Sequence, residues 1–207
     1  MGILISFEGT DGCGKSTQIR FLADYLTKKG YDVVVSREPG GSKIGENIRN
    51  ILLSDENSEM DSLCELFLYE AARAQHMAET VEPALKQNKI VILDRFIDSS
   101  YAYQGAGREL GEDNVDTINK IAVKNRMPDI TFLLEISPKE AFLRKGGRDE
   151  HDRIELSGDD FFARVRAGFA SAAEKYPERI VKIDASGARG ETHDKIKAYV
   201  DKLLEDK

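Results

Sequence analysis

The sequence predicts an α/β fold in which a five-stranded parallel sheet is covered by helices on both faces, within a single domain spanning residues 1–207. Three observations carry this. Short apolar runs rich in β-branched residues recur along the chain, separated by stretches whose apolar residues fall at helical spacing. Helical crossovers between strands impose parallel pairing and bury both faces of the sheet. The octapeptide Gly9-Thr10-Asp11-Gly12-Cys13-Gly14-Lys15-Ser16 fits GxxxxGK[ST] and sits between an apolar run and a helical run, in strand–loop–helix order. Finally, a 207-residue chain with five prolines and no polar low-complexity tract offers material for one buried core and no linker.

The elements follow in order. Ile3–Phe7 is the first strand, and the glycine-rich loop leads into a helix over Lys15–Lys29. Asp32–Ser36 is the second strand; the turn-rich Arg37-Glu38-Pro39-Gly40-Gly41-Ser42 follows it. Helical spacing then covers Ile44–Leu53 and a long run, Leu63–Gln87. Ile90–Leu93 is an apolar strand ending at Asp94-Arg95, followed by a helix over Asp113–Arg126 and a strand over Ile130–Ile136. Pro138–Lys145 reads as a short helix, and the charged, hydrophilic stretch to Arg153 as a lid at about 144–155. Asp159–Tyr176 (helix), Ile180–Ile183 (strand) and Glu191–Leu204 (helix) complete the chain. Right-handed crossovers bring the C-terminal strand ends to one rim, where ligands of such sheets bind.

The chemistry expected on that rim is phosphate chemistry. Glycines let backbone N–H groups turn toward phosphate oxygens, and the following helix start adds its positive dipole end. Gly9, Thr10, Asp11, Gly12, Cys13, Gly14, Lys15, Ser16 and Thr17 are therefore candidates for binding ATP, with Lys15 on the β and γ phosphates and Ser16 on Mg²⁺. Asp94, at the end of an apolar strand, is a second candidate for orienting Mg²⁺, and Arg95 sends positive charge into the same crevice. A net charge of −7 argues against a broad basic face for nucleic acid. No window approaches the roughly 18 apolar residues that span a membrane, and a soluble, cytoplasmic protein is expected. Cys13 and Cys64 lack the number for a disulfide framework and the spacing for a metal site. His76, His151 and His193 fit no ligand spacing, which favours surface or structural roles.

Four stretches together point to a family. REPGG at Arg37–Gly41, YEAARAQH at Tyr69–His76, DRFIDSSYAYQGAGR at Asp94–Arg108 and DRIE at Asp152–Glu155 occur in the order and spacing of the thymidylate kinases, which the chain resembles over about three-quarters of its length. The resemblance implies a three-layer P-loop nucleoside-monophosphate-kinase fold with a short lid, transfer of the ATP γ-phosphate to dTMP with Mg²⁺, and a homodimer. It implies that Arg49 and Arg95 hold the acceptor phosphate, Tyr69 stacks on thymine, and Arg73 bonds its O4. Ser100 and Gln104 would reach the base edge near N3, Tyr103 would pack beneath the deoxyribose, Asp11 would receive the 3′-hydroxyl, and Glu38 would lie near the metal or the acceptor phosphate. Tyr69 and Arg73 are four residues apart and share a helix face.

Duller readings stand beside these: Arg73 as a surface partner of Glu70, Tyr69 and Tyr103 as packing, Ser99 or Ser100 as a helix cap after Asp98. Members of the family carry a transition-state arginine in the phosphate loop or in the lid. The variable loop positions here are Thr10, Asp11, Gly12 and Cys13, so the lid must supply it. Among Arg144, Lys145, Arg148 and Arg153, we expect Arg148 to be the principal lid arginine, with Arg153 held by Asp152 or Glu155 or contacting the nucleotide. Ile183–Arg189 would form the adenine wall, with Arg144 opposite. The competing readings are another P-loop kinase, acting on dUMP, dCMP or a deoxynucleoside, and a nucleotide switch or sensor without kinase activity. Asn119-Lys120-Ile121-Ala122 approaches the guanine-reading NKxD but ends in Ala.

Overall fold

A computed structural model describes residues 2–144 and 153–206. The strands β1 (Ile3–Glu8), β2 (Val33–Arg37), β3 (Ile90–Asp94), β4 (Ile130–Glu135) and β5 (Ile180–Asp184) form one sheet in the order β2-β3-β1-β4-β5. Every pairing is parallel. The central strand β1 is buried along its whole length, and its residues alternate between layers. Ile3, Ile5 and Phe7 join Leu22 and Leu26 of α1 (Lys15–Lys28) and Ile196 and Val200 of α9 (Arg189–Glu205). Leu4 faces the opposite layer, with Val81, Leu85, Leu93 and Phe96.

The remaining helices are α2 (Lys43–Leu53), α3 (Ser62–His76), α4 (Glu82–Lys86), α5 (Ile97–Ser100), α6 (Glu112–Ala122), α7 (Pro138–Arg144) and α8 (Asp159–Lys175). Ser42 caps α2 by accepting from the Gly45 N–H, and Asp61 caps α3 by accepting from the N–H groups of Leu63 and Cys64. The long run expected over Leu63–Gln87 is α3 and α4 joined by a π-helical turn over Met77–Val81. Pro83 at the start of α4 has no N–H and its ring crowds the preceding turn, and the widened turn lies just ahead of it. The helix expected over Asp113–Arg126 ends at Ala122; Lys124 and Asn125 then adopt left-handed φ angles of 51° and 60°. The second strand is displaced by one residue from the expected Asp32–Ser36.

The segment 97–107, to which the sequence pattern assigns only a helix cap at Ser99 or Ser100, is helical throughout: α5 continues into a π-helical stretch over Tyr101–Gly107. Its glycine, serine and β-branched content opposes helix formation, and packing supplies what propensity lacks. A Cβ on Gly168 of α8 would lie 2.7 Å from the Ala106 Cβ, and one on Gly107 would lie 2.7 Å from the Phe161 ring. Small residues on both sides thus let this segment lie directly on α8. Because the helix begins at Ile97, Ser99 and Ser100 lie within it and neither is its cap. Asp98 instead receives a bidentate pair from Arg179, Nη1 at 2.7 Å and Nη2 at 2.8 Å, which ties α5 to the chain entering β5. No helix among the described residues is long and apolar enough to cross a membrane.

Candidate active site

The glycine loop leaves the C-terminal end of β1. Gly9, Gly12 and Gly14 have φ angles of 130°, 83° and 103°. A Cβ at Gly9 would meet the Leu134 carbonyl at 2.5 Å, and one at Gly12 the Ala141 carbonyl at 2.4 Å. The loop is therefore pressed against β4 and α7 as well as coiled on itself. Lys15 folds back over it, its Nζ donating to the Gly9 and Thr10 carbonyls at 2.9 and 3.2 Å and lying 3.5 Å from Asp11 Oδ1. Ser16 Oγ donates to Asp94 Oδ2 at 3.1 Å. A hydroxyl and a carboxylate side by side on the rim are the hard oxygen donors that Mg²⁺ takes together with phosphate oxygens.

Pairing of β3 with β1 sets Asp94 opposite Phe7 and turns Arg95 into the crevice. Arg95 holds a left-handed φ of 68°, anchored by its own N–H on the Phe7 carbonyl at 2.9 Å. Its guanidinium reaches Asp11 Oδ1 at 2.8 Å, the Gly9 carbonyl at 3.1 Å and Ser99 Oγ at 3.2 Å, and lies 5.1 Å from the centre of the Tyr103 ring.

Glu8, which sequence reasoning passed over as the end of an apolar strand, supports this turn from beneath. Fully buried, it accepts from the Phe96 N–H at 2.7 Å, the Ser99 N–H at 3.2 Å and Ser99 Oγ at 2.6 Å. Burial, and then the Asp98 carboxylate, push its pKa up to about 8 against the opposing pull of Ser99, Arg95 and Phe96. The folded chain thus keeps a proton that the unfolded chain releases near pH 4.5. The stability this group contributes is complete below that pH and is lost as pH rises through about 8. In denaturant titrations at a series of pH values, the advantage of the native chain over Glu8→Gln should shrink across that window by up to about 5 kcal/mol. A pH-independent difference would remove Glu8 as the titrating group.

After β2, Glu38 is buried and its carboxylate is fully engaged. Oε2 accepts from Arg73 Nε at 2.7 Å and Oε1 contacts His76 Nδ1 at 2.9 Å, while His76 Nε2 contacts Ser36 Oγ at 2.8 Å. Both oxygens thus bond Arg73 and His76, while Glu38 itself lies on the wall of both cavities described below. His76 has the structural role, wholly enclosed within the fold. Gly41, with φ 74°, leaves room for it: a Cβ there would come 2.4 Å from the imidazole.

Arg73 is 2 % exposed. Besides Glu38 it donates to Glu70, to Ser100 Oγ at 3.0 Å, to Asn119 Oδ1 at 2.7 Å and to the Phe96 carbonyl at 3.1 Å. The Glu70 pairing weighed as a surface contact does form, in the interior. Asn119 was not among the candidates for this site, since only the fold brings α6 against this face of α3.

Two adjoining cavities open on the rim. One is lined by Asp11, Glu38, Arg49, Tyr69, Arg73, Arg95, Ser100, Tyr103 and Gln104, all the candidates for the acceptor, together with Pro39, Leu53, Ser99, Ile154, Glu155 and Phe162. Burial raises the pKa of Tyr69, and pushes that of Tyr103 up to about 12. The other is lined by Gly12, Cys13, Gly14, Lys15, Ser16, Thr17, Asp94 and Arg144, with Ala185, Gly187, Ala188 and Arg189 from beyond β5, Arg37 from the turn-rich rim segment, and Gln18, which the sequence did not single out. Gly9 and Thr10 contribute carbonyls from behind. Arg144 donates to the Ser186 carbonyl at 3.1 Å. Asp11, Glu38, Arg49 and Arg95 line both cavities, and Arg49 is steadied by the Pro39 carbonyl at 2.9 Å.

Lys145, Arg148 and Asp152 lie outside the described residues. Arg153 has a partner the sequence did not suggest: it pairs with Glu65 of α3 at 2.6 Å and donates to the Leu52 carbonyl at 2.9 Å, buried in the fold. This carboxylate partner stands on α3, remote in sequence.

The chain is similar to known proteins over nearly its whole length. The family model for thymidylate kinase matches residues 7–196. A thymidylate kinase of Thermoanaerobacter sp. (strain X514) is 47% identical over 203 residues, covering 98% of this chain and 99% of that protein. One of Vesicomyosocius okutanii is 44% identical over 202 residues, covering 98% of each. A crystal structure of thymidylate kinase from Ehrlichia chaffeensis superposes with a TM-score of 0.80 at 34% identity, covering 96% of this chain and 98% of that one.

Proposed function

The chain belongs to the thymidylate kinase family and phosphorylates dTMP to dTDP with ATP as donor, and we propose that its two cavities divide the reaction, ATP in one and dTMP in the other. The observation that carries this division is the position of Arg95 and Asp11 on the wall of both cavities, where donor and acceptor must meet. Transfer between two phosphates needs alignment, exclusion of water and positive charge more than covalent chemistry. Lys15 leaves the loop carbonyls for the β and γ phosphates, and Arg95 grips the acceptor phosphate from the opposite side, with Arg49. Ser16 and Asp94 hold Mg²⁺, which when bound would neutralise charge on the donor phosphates. Arg148, and Arg144 beside the adenine wall, supply the remaining cations.

In the acceptor cavity Tyr69 stacks on thymine, Arg73 donates to O4, and Ser100 and Gln104 meet the base near N3. Tyr103 packs beneath the deoxyribose and Asp11 receives the 3′-hydroxyl. Glu38 acts by holding Arg73. Leu63 and Phe67 on α3 are 45% and 54% exposed, and Ile121 on the adjoining α6 is 73% exposed; these apolar side chains support a homodimer. The protein works in the cytoplasm.

A steady-state assay offering ATP with dTMP, dUMP, dCMP or thymidine tests the assignment. dTMP should be the best acceptor, and dUMP, lacking one methyl, about 10- to 200-fold poorer in kcat/KM. Turnover of a deoxynucleoside in preference to dTMP would reject it. Arg148→Ala should lower kcat far more than it weakens dTMP binding, and an unchanged kcat would return the transition-state role to another cation.

A further inference from the structure

We propose that Glu65 sets the pyrimidine preference of the acceptor cavity by fixing the side-chain amide of Gln104, Nε2 toward Glu65 and Oε1 toward the base. The proposal rests on the reading that Gln104 meets the base edge. Glu65, Tyr69 and Arg73 stand four residues apart on α3 and so share one face of the helix. Glu65 is wholly buried. Its Oε1 accepts from Gln104 Nε2 at 2.8 Å and from Arg108 Nε at 3.2 Å; its Oε2 accepts from Arg108 Nη2 at 3.1 Å and pairs with Arg153 Nη2 at 2.6 Å.

With a guanidinium beside each oxygen, Glu65 presents only acceptors to its neighbours. An amide against it must offer its NH₂ group, since the reverse orientation would set oxygen against oxygen. Gln104 is 1 % exposed and lines the acceptor cavity, so its amide cannot escape into bulk water. Among the described residues its Oε1 accepts no hydrogen bond, which leaves that oxygen for a ligand. Thymine and uracil carry a donor at N3, whereas cytosine carries a lone pair there. An oxygen held in this orientation therefore welcomes the first two and repels the third. Glu65 acts through Gln104 and is a positioning residue.

The test is the ratio of kcat/KM for dTMP to that for dCMP, which a loss of packing alone would leave in place. In Glu65→Gln the partner can offer either end of its own amide, Gln104 is free to turn over, and the ratio should fall about tenfold. In Arg108→Met the Glu65–Gln104 bond remains, and the ratio should hold even as stability drops. In Gln104→Leu, kcat/KM for dTMP should fall; if it does not, Gln104 does not meet the base and the underlying reading is lost. If it falls while Glu65→Gln keeps the native ratio, only the role of Glu65 is overturned. ¹⁵N side-chain NMR of the native chain gives a second measurement that does not depend on any variant folding. The Gln104 amide protons should exchange slowly both without and with dTMP, and protons that exchange freely or change partner on adding dTMP would overturn the proposal.

Discussion

Arg95→Ala is expected to lower kcat/KM for dTMP by about 10³-fold or more, with the chain still folded. Arg95 lines both cavities and is pinned by its backbone as well as its side chain, through its N–H on the Phe7 carbonyl and its guanidinium on Asp11 and Gly9. Removing a preorganised donor from developing charge costs about 10²–10³ in rate, and removing an arginine that touches a transferring phosphoryl group 10³–10⁵. Arg95→Lys should restore little. A lysine brings the charge but cannot reach Asp11, Gly9 and Ser99 together as the planar guanidinium does. Steady-state kinetics with calorimetric dTMP titration would separate the rate from the affinity. A loss under tenfold would place the acceptor phosphate elsewhere.

Arg73→Met should destabilise the fold by about 3–5 kcal/mol and weaken dTMP binding at the same time. The side chain lies between the buried carboxylates of Glu38 and Glu70, so its removal strands negative charge in the interior. Burial already raises the pKa of Glu70 against the pull of Arg73, and without that partner the carboxyl should take up a proton. Because the lost partner is a charge and not volume, adding Glu70→Leu to Arg73→Met should recover part of the stability. It should recover none of the dTMP affinity. Thermal unfolding should place the single variant roughly 10 °C below the native chain. A shift of 1–2 °C would mean that the interior is wetter than the burial of Arg73 implies.

The acceptor side was legible because its residues stand in short local strings. Tyr69 and Arg73 share a helix face by spacing alone, and Asp94-Arg95 must emerge at a strand end because an apolar run precedes them. The segment 97–107 was not legible. Its local composition speaks against a helix, and the contact with α8 that makes it one joins residues about sixty positions apart. The direction in which Glu38 points was hidden for the same reason, since both its partners lie on α3, 35 and 38 residues away.

By itself the sequence determined the parallel sheet, the phosphate loop with Lys15 and Ser16, and the rim on which ligands gather. Those depend on backbone freedom, hydrophobic period and chain direction, which neighbouring residues specify. Only the tertiary structure decided which charges would be enclosed and by what. Glu8 lies beneath the Arg95 turn, Glu65 among Gln104, Arg108 and Arg153, and Arg73 between two carboxylates. A buried charge survives only with partners, and here those partners come from segments that meet after the chain has folded.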